Sequence, residues 1–168
     1  MKLYILDTSV VGFAQQRHPV YESHVQSLPA GTPVVTTIIT VGEDLSGWLP
    51  ACRRAIDGAA RAQAYARLQR GQEFYQRTGC LPFDTTAAAL FDQLRALKIR
   101  IGTNDLAIAA IVLSVSGVLV TRNTVDFQRV PGLVIEDLDA VDEITLWLTK
   151  RAKNHETLNA QLDAPRTA

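Results

Sequence analysis

The sequence predicts a single α/β domain whose largely parallel sheet is covered by helices on both faces. Three observations support this prediction: a length of 168 residues, a hydrophobic content of 47%, and five short β-type segments separated by helical sequence. A chain of this length can bury roughly two thirds of its unfolded surface, which suits one domain. Strands that alternate with helices are joined by right-handed crossovers, so neighbouring strands are expected to be parallel.

The first part of the chain contains two units of a strand followed by a helix. Leu3 to Leu6 is a short apolar run, and the capping side chains Asp7-Thr8-Ser9 follow it at the start of a helix. The β-branched run from Val34 to Thr37 predicts the second strand. Apolar residues recur at helical spacing from Ile38 to Leu49, so a helix is expected there, and Pro50 is expected to end it.

The rest of the chain continues this alternation. Positions 106 to 113 are apolar on every side, which is typical of a helix buried in the centre of a domain. Gly79 is expected to end a long helix rich in Ala, Arg and Gln, and Gly117 is expected to end the buried one. The predicted elements are a helix over 51–77, a strand over 80–83, a helix over 84–97, a helix that Thr103 caps, and strands over 118–121 and 133–135.

The charge is balanced overall but unevenly distributed. A formal net charge of zero argues against a protein that coats nucleic acid by bulk electrostatics. Residues 53 to 100 nevertheless carry nine Lys and Arg against four acids, so the remainder of the chain is acidic. This basic segment is either a solvated, arginine-rich helix or a surface that attracts phosphate and lies beside carboxylates.

The sequence also indicates a location in the cell. Cys52 and Cys80 have no partners at metal-ligand spacing, so neither a zinc module nor a disulfide framework is expected, and a reducing cytoplasm is predicted. The N-terminus shows no export signal. The longest apolar run, from 106 to 120, is shorter than the roughly 20 residues that a membrane-spanning helix needs.

Four acids are candidates for a functional site, because ligands of parallel α/β sheets bind beyond the carboxyl ends of the strands. These are Asp7, Glu43, Asp105 and Asp126. Taken singly, each could cap a helix, shape a turn or face water. However, Asp105 is expected to face the interior, where a carboxylate needs a cation or strong hydrogen bonds. No Lys or Arg lies within four residues of Asp7, Glu43 or Asp105, so a divalent metal ion is a candidate for that cation.

The type of ligand indicates which metal. Carboxylates without His or Cys nearby suit Mg²⁺ or Mn²⁺. Such a site can perform phosphate chemistry, because the metal activates water for in-line attack and neutralises charge on the leaving oxygen. The sequence leaves open whether one or two ions bind.

Four short motifs occur in a fixed order along the chain. They are Leu6-Asp7-Thr8-Ser9, Thr40 to Leu45, Ile101 to Asp105 followed by Ile108-Ala109-Ala110, and Leu119 to Asn123 leading to Asp126-Phe127 and Val130 to Leu133. Together these motifs resemble those of PIN-domain ribonucleases, and in particular the VapC toxins of type II toxin–antitoxin pairs. The resemblance covers residues 1–138.

The resemblance implies a three-layer α/β/α sandwich with a mostly parallel, five-stranded sheet. It also implies a Mg²⁺ or Mn²⁺ site, hydrolytic cleavage of RNA as an endonuclease, a homodimer, and inhibition by a cognate antitoxin protein. The family's four acidic positions, which serve as catalytic residues and metal ligands, fall on Asp7, Glu43, Asp105 and Asp126.

Further residues take supporting roles by the same resemblance. Asn123 matches the polar residue that accompanies the fourth acid, and Thr8 or Ser9 matches the hydroxyl near the first. Independently of the resemblance, Arg122 and Arg129 flank the fourth acid, where they either hold substrate phosphate or are ordinary surface charges.

The chain departs from the family after its last predicted strand. VapC-like chains usually end there, whereas this chain continues through residues 139–168. The spacing of apolar residues predicts a helix over 141–152, and residues 163–168 are expected to be unstructured. The helix either packs on its own domain or contacts a dimer partner or antitoxin.

There are two alternatives to nuclease function. A receiver-type signalling domain needs an acidic pair after the first strand and a lysine after the last, but Thr8-Ser9 follow Asp7 and Glu136-Asp137 follow Ile135. A catalytically inert PIN-like binding module is the second alternative. The presence of all four acids argues against it.

Overall fold

The computed structural model describes residues 2–140, which form five strands and seven helices. The strands are β1 (Tyr4–Leu6), β2 (Val34–Thr37), β3 (Cys80–Leu81), β4 (Val118–Thr121) and β5 (Val134–Asp137). The helices are α1 (Thr8–Gln15), α2 (Pro19–Ser27), α3 (Ile38–Arg54), α4 (Gly58–Thr78), α5 (Thr85–Ala96), α6 (Thr103–Ser114) and α7 (Thr124–Phe127). The predicted helix over 141–152 and the predicted unstructured end lie outside the described residues.

The five strands form one sheet in the order β3-β2-β1-β4-β5, and every neighbouring pair is parallel. The central strand β1 pairs with both β2 and β4, so Ile5 lies between Val35 and Leu119. All carboxyl ends of the strands therefore lie along one edge of the sheet. This arrangement confirms the predicted α/β fold.

Successive strand residues point to opposite faces of the sheet, so both faces carry apolar side chains. Helices cover each of these faces. Ile5 and Leu119 pack in a core with α5, α6 and α7, whereas Leu6 and Val120 pack in a second core with α1, α2 and α4. Residues 106 to 112 of α6 are all buried, as the apolar run predicts. The result is the expected three-layer α/β/α sandwich.

Pro50 does not end α3, contrary to the sequence prediction. The helix continues to Arg54, and the buried side chains Trp48 and Cys52 on either side of the proline anchor it against the domain. Packing of these side chains outweighs the hydrogen bond that a proline removes from a helix. The next helix accordingly starts at Gly58 rather than at residue 51, with Asp57 as its N-cap.

The sequence prediction also missed two helices and misplaced one cap. Helix α2 starts with a proline at its first position, which is a local signal that favours the start of a helix. Helix α7 is a single turn, too short for a periodic pattern to reveal. Gly102, and not Thr103, is the N-cap of α6, so no side-chain hydrogen bond caps the start of this helix.

The predicted boundary at residue 138 lies at the start of a helical segment, and the predicted extension from residue 141 onwards lies outside the described residues. Within residues 2–140, no helix is both long enough and apolar enough to span a bilayer.

Candidate active site

The four candidate acids are carried by four helices that start near the carboxyl edge of the sheet. Asp7 is the N-cap of α1, directly after β1, and Glu43 lies in the second turn of α3, which follows β2. Asp105 lies in the first turn of α6, and Asp126 lies in α7, which follows β4. The fold therefore brings together residues that are up to 119 positions apart in the sequence.

Asp7 is almost completely buried, with 3% of its surface exposed. Its Oδ2 accepts hydrogen bonds from the Ser9 hydroxyl at 2.6 Å, the Thr121 hydroxyl at 2.8 Å and the Ser9 backbone N–H at 3.4 Å. Its Oδ1 accepts none from the described residues. Three donors on one oxygen hold the carboxylate in place and leave the other oxygen for a ligand.

Glu43 is held by one donor on each carboxylate oxygen. The Thr8 hydroxyl donates to Oε2, and the side-chain amide of Asn104 donates to Oε1 at 2.9 Å. These bonds connect α3 to the start of α1 and to the start of α6. Of the two hydroxyls that the sequence left open, Ser9 therefore serves Asp7 and Thr8 serves Glu43.

The surroundings of Asp105 perturb the ionisation of its carboxyl group. Partial burial is the main cause, and the charges of Asp7, Glu43 and Asp126 add to it, so the pKa of this carboxyl rises to about 6. No donor among the described residues bonds to its carboxylate.

A glycine makes room for this carboxylate. Oδ2 of Asp105 would lie 3.3 Å from a Cβ atom built on Gly102, so any larger residue there would press against it.

Asp126 is already paired within the protein. Arg129 donates to its Oδ1 at 2.9 Å, and the side-chain amide of Asn123 donates to its Oδ2 at 3.2 Å. Arg129 also donates to the backbone carbonyl of Arg100 at 2.6 Å. Both predicted neighbours of the fourth acid, Asn123 and Arg129, thus contact it directly.

Arg122 is fixed beside the acids by three contacts. Its backbone N–H donates to the Ser9 hydroxyl at 3.1 Å, its Nε donates to Asp139 at 2.7 Å, and its guanidinium lies 4.6 Å from the centre of the Phe13 ring. The cation–π contact and the ion pair orient the side chain, whose remaining guanidinium donors make no bond to the described residues.

Sequence reasoning missed several residues that support the site. Thr121, the last residue of β4, bonds Asp7, and Asn104, which precedes Asp105, bonds Glu43. Their positions at a strand end and beside a candidate acid were the available signals. Asp44 was also missed: it accepts hydrogen bonds from Gln15 at 3.0 Å and Tyr75 at 2.5 Å, and so connects α1, α3 and α4 next to Glu43.

The fold and the site geometry agree with a comparison to known families. Residues 4–133 match the model of the PIN domain, a span that includes all four acids and every strand but the last. The chain belongs to the PIN-domain family. This membership confirms the resemblance noted in the sequence and removes the basis for a receiver-type domain.

Individual relatives of this PIN domain are VapC proteins. Ribonuclease VapC1 of Haemophilus influenzae (strain R2866) is 30% identical over 145 residues, which are 80% of this chain and 97% of that protein. Ribonuclease VapC2 of Rickettsia felis is 25% identical over 82% of this chain and 98% of that protein. Among solved structures, DNA-bound VapBC from Salmonella typhimurium superposes with a TM-score of 0.64 at 28% identity, over 82% of this chain and 99% of that one.

The hydrogen bonds of this PIN domain indicate which acids have free oxygens for a cation. Counting donors among residues 2–140, Asp7 has one free oxygen and Asp105 has two, whereas both oxygens of Glu43 and of Asp126 accept bonds from protein donors. Mg²⁺ commonly binds through one or two carboxylates and keeps several waters, so this donor set fits it. Within residues 2–140, no three carboxylate, imidazole or thiol groups stand close enough to bind one ion together.

Proposed function

We propose that this PIN-domain protein is a metal-dependent endoribonuclease and the toxin of a type II toxin–antitoxin pair. The observation that carries the proposal is the hydrogen bonding at the carboxyl edge of the sheet, where Thr8, next to Asp7, and Asn104, next to Asp105, both donate to Glu43. A cation bound there would reduce the repulsion between the charges of these acids. The names of the VapC relatives support RNA as the substrate.

Asp7 and Asp105 would hold the Mg²⁺ or Mn²⁺ ion directly, and Glu43 and Asp126 would accept hydrogen bonds from its waters. A cation bound there supplies an activated water and positive charge for the phosphodiester. Thr121 and Ser9 fix the Asp7 carboxylate, and Thr8 and Asn104 fix Glu43, so the acids need little rearrangement when substrate binds.

Arg122 would bind the phosphate next to the scissile bond. Phe13 and Asp139 orient its guanidinium, and its two remaining nitrogens bond none of the residues that the structure describes, so they can bind a phosphate in parallel. Arg129 is less available, because its Nη1 already donates to Asp126 and to the backbone carbonyl of Arg100. We therefore assign the predicted phosphate role to Arg122 and a positioning role to Arg129.

Cleavage of RNA by the purified protein tests the proposal. We expect wild type to cut RNA internally with Mg²⁺ or Mn²⁺ and to stop when EDTA is added. Asp7→Asn should reduce the rate by at least about a hundredfold, since it alters a group that holds the cation. Asp92→Asn, which changes an exposed acid on α5, is the matched control and should retain wild-type activity.

The inert-module alternative predicts a different result from the same assay. A protein that only binds RNA would show no cleavage with either metal, and Asp7→Asn would bind RNA as wild type does. Cleavage that persists in EDTA and in Asp7→Asn would contradict the metal mechanism instead.

The partner surface is proposed from an apolar groove beside the acids. The groove lies between α3 and α4, has a volume of about 330 Å³ and is lined by Ile38, Val41, Leu45, Trp48, Leu68 and Tyr75, among others. Ile38, Leu45 and Leu49 of α3 are 46%, 36% and 41% exposed, although their spacing is typical of a core-facing stripe.

This groove adjoins a cavity that contains one of the four acids, Glu43. Ile38 also lines a neighbouring cavity that contains Glu43 and Asn104. An antitoxin segment with apolar side chains for the groove and an Arg or Lys for the acids would therefore fit both, and VapBC assemblies among the solved relatives support this partner. Such a cation would neutralise the acids and block the site.

Co-purification with the antitoxin tests the groove. Leu45→Ser should weaken the complex, whereas Leu97→Ser, which changes an exposed leucine at the end of α5, should leave it intact. Equal complex formation by both variants would contradict the assignment. We also propose a homodimer, to be measured by light scattering, and a cytoplasmic location, with which the free thiols of Cys52 and Cys80 agree.

A further inference from the structure

A second cavity, on the sheet face that α1, α2 and α4 cover, concentrates arginine side chains. It has a volume of about 520 Å³, and its charged lining consists of Arg17, Arg70 and Arg77 with Glu22 and Glu73. We call it the arginine cleft. It contains part of the basic segment that stands out in the sequence, and the acid site does not use it.

The arginines come from two elements that meet at the cleft. Arg70 and Arg77 are seven residues apart on α4, so they lie on the same face of that helix. Arg17 reaches the cleft from the turn between α1 and α2. In the described part of the chain, none of the three guanidinium groups forms an ion pair with a carboxylate.

The two glutamates of the cleft have other interactions. Glu73 accepts a 3.0 Å hydrogen bond from Gln69 on the same helix. Glu22 lies in the first turn of α2, where the helix dipole favours a negative charge. The guanidinium donors are thus left for an external group, and their planar geometry matches phosphate oxygens.

Arg17 occupies a backbone position that usually belongs to glycine. It follows the C-cap of α1 with φ of 50°, and the bonds from its N–H to Ala14 and from the His18 N–H to Phe13 form a Schellman motif. An arginine there is strained relative to glycine. Lys98 occupies the equivalent position after α5 with φ of 52°, so the strain alone does not mark a site, but it provides a matched control.

Helix α1 connects the cleft to the acid site. Thr8 and Ser9 stand at its start beside the acids, and Arg17 lies just beyond its end, roughly 12 Å away along eight helical residues. Between them, Phe13 contacts the guanidinium of Arg122. An RNA strand bound at the acids could therefore pass Arg122 and follow α1 into the cleft.

We infer that the arginine cleft binds backbone phosphates of the RNA substrate a few nucleotides away from the cleaved bond. The inference rests on the proposed function for the identity of the substrate. The cleft contacts phosphate and reads no base sequence, so it contributes affinity and orientation and leaves the chemical step to the acids.

Fluorescence anisotropy with a single-stranded RNA in EDTA tests the cleft without any requirement for cleavage. Arg17→Gly should weaken RNA binding by about three- to tenfold, as loss of one phosphate contact does. Its melting temperature should equal or exceed that of wild type, because glycine relieves the backbone strain. Lys98→Gly makes the same change of charge and backbone on the opposite face and should keep wild-type affinity.

Two further variants give effects of opposite sign. Arg70→Gln combined with Arg77→Gln should weaken binding more than Arg17→Gly and should lower the slope of log affinity against log salt by about 0.7 per lost contact. Glu73→Gln should tighten binding, because it removes a negative charge from the cleft. Asp92→Asn controls for a general change in net charge and should have a smaller effect.

Equal affinity of Arg17→Gly and Lys98→Gly for RNA would overturn the inference. So would cleft variants that bind RNA normally and lose only the antitoxin, since the cleft would then be a protein contact. If wild type bound RNA through the cleft without cutting it, the cleft would stand and the nuclease proposal would fail. If wild type cut RNA and the cleft variants bound it normally, the reverse would hold.

Discussion

The Thr121 hydroxyl donates a 2.8 Å hydrogen bond to Oδ2 of Asp7, although the two residues are 114 positions apart. The bond forms because β1 and β4 are parallel neighbours, and each residue stands at the carboxyl end of its strand. Thr121 also accepts a 2.9 Å bond from the backbone N–H of Asn123. Its proton therefore points to Asp7, which fixes one carboxylate oxygen and leaves the other free.

Thr121→Val tests this relationship. Valine has the shape of threonine but cannot donate, so the buried Asp7 carboxylate loses one of its donors and the free energy of unfolding should fall by about 1–2 kcal/mol. RNA cleavage should fall about tenfold, because Asp7 is less well oriented. Thr121→Ser keeps the hydroxyl and should restore most of the activity. Urea unfolding and cleavage rates measure both effects, and a fully active valine variant would contradict the assigned role.

Asp105→Asn tests the electrostatic strain of the acid cluster. Because the folded-state pKa of Asp105 is raised to about 6, its contribution to stability is full below pH 4 and is lost as the pH rises through 6. Asparagine carries no charge at any of these pH values. In metal-free buffer, the free energy of unfolding of the variant should therefore exceed that of wild type by an amount that grows from pH 4 to 7. This difference should reach about 1–2 kcal/mol, a figure that already includes solvent screening of a partly exposed group.

Urea unfolding of both proteins in EDTA, at several pH values, measures this difference. The variant should also lose cleavage activity. A difference that stays constant across the pH range would show that Asp105 is only a charge at the start of α6.

Divalent cations should stabilise the protein through the same acids. A ligand that binds only the folded state raises the melting temperature, and about 2.7 kcal/mol is gained at a hundred times its dissociation constant. We expect Mn²⁺ and Mg²⁺ to raise the melting temperature of wild type and to have little effect on Asp7→Asn. Thermal unfolding at increasing concentrations of Mn²⁺ or Mg²⁺ measures the shift. An equal shift in both proteins would mean that the cation binds away from Asp7.

Gly71→Ala should separate α3 from α4. A Cβ atom at Gly71 would lie 2.0 Å from Cη2 of Trp48, a buried residue that is 4% exposed. Overpacking of this kind costs about 1–3 kcal/mol. Gly47→Ala is the control, since nothing lies within 4 Å of its Cβ position in α3 and alanine favours a helix by about 0.5–1 kcal/mol.

Thermal unfolding of the two glycine variants should therefore shift in opposite directions. Because Trp48 also lines the apolar groove, Gly71→Ala should weaken antitoxin binding as well. Two variants of equal stability would mean that the α3–α4 contact tolerates an added methyl group.

The order of the five strands along the chain and the family could be predicted from the sequence, because both depend on local signals. The capping triplet Asp7-Thr8-Ser9, the β-branched run before α3 and the fully apolar α6 depend on neighbours in the chain. Local signals failed where packing overrides them: Trp48 and Cys52 carry α3 through Pro50, and a single turn such as α7 has no periodicity to detect.

The sequence by itself determined which acids are candidates, since they follow predicted strands or open predicted helices. Only the tertiary structure decided what each one bonds to. Ser9 serves Asp7 and Thr8 serves Glu43, a choice that the sequence left open, because a donor and an acceptor 35 residues apart meet only after the sheet has formed. Likewise, the arginines on α4 form a cleft only because the turn after α1 places Arg17 opposite them, and distances between separate helices are set by packing rather than by local preference.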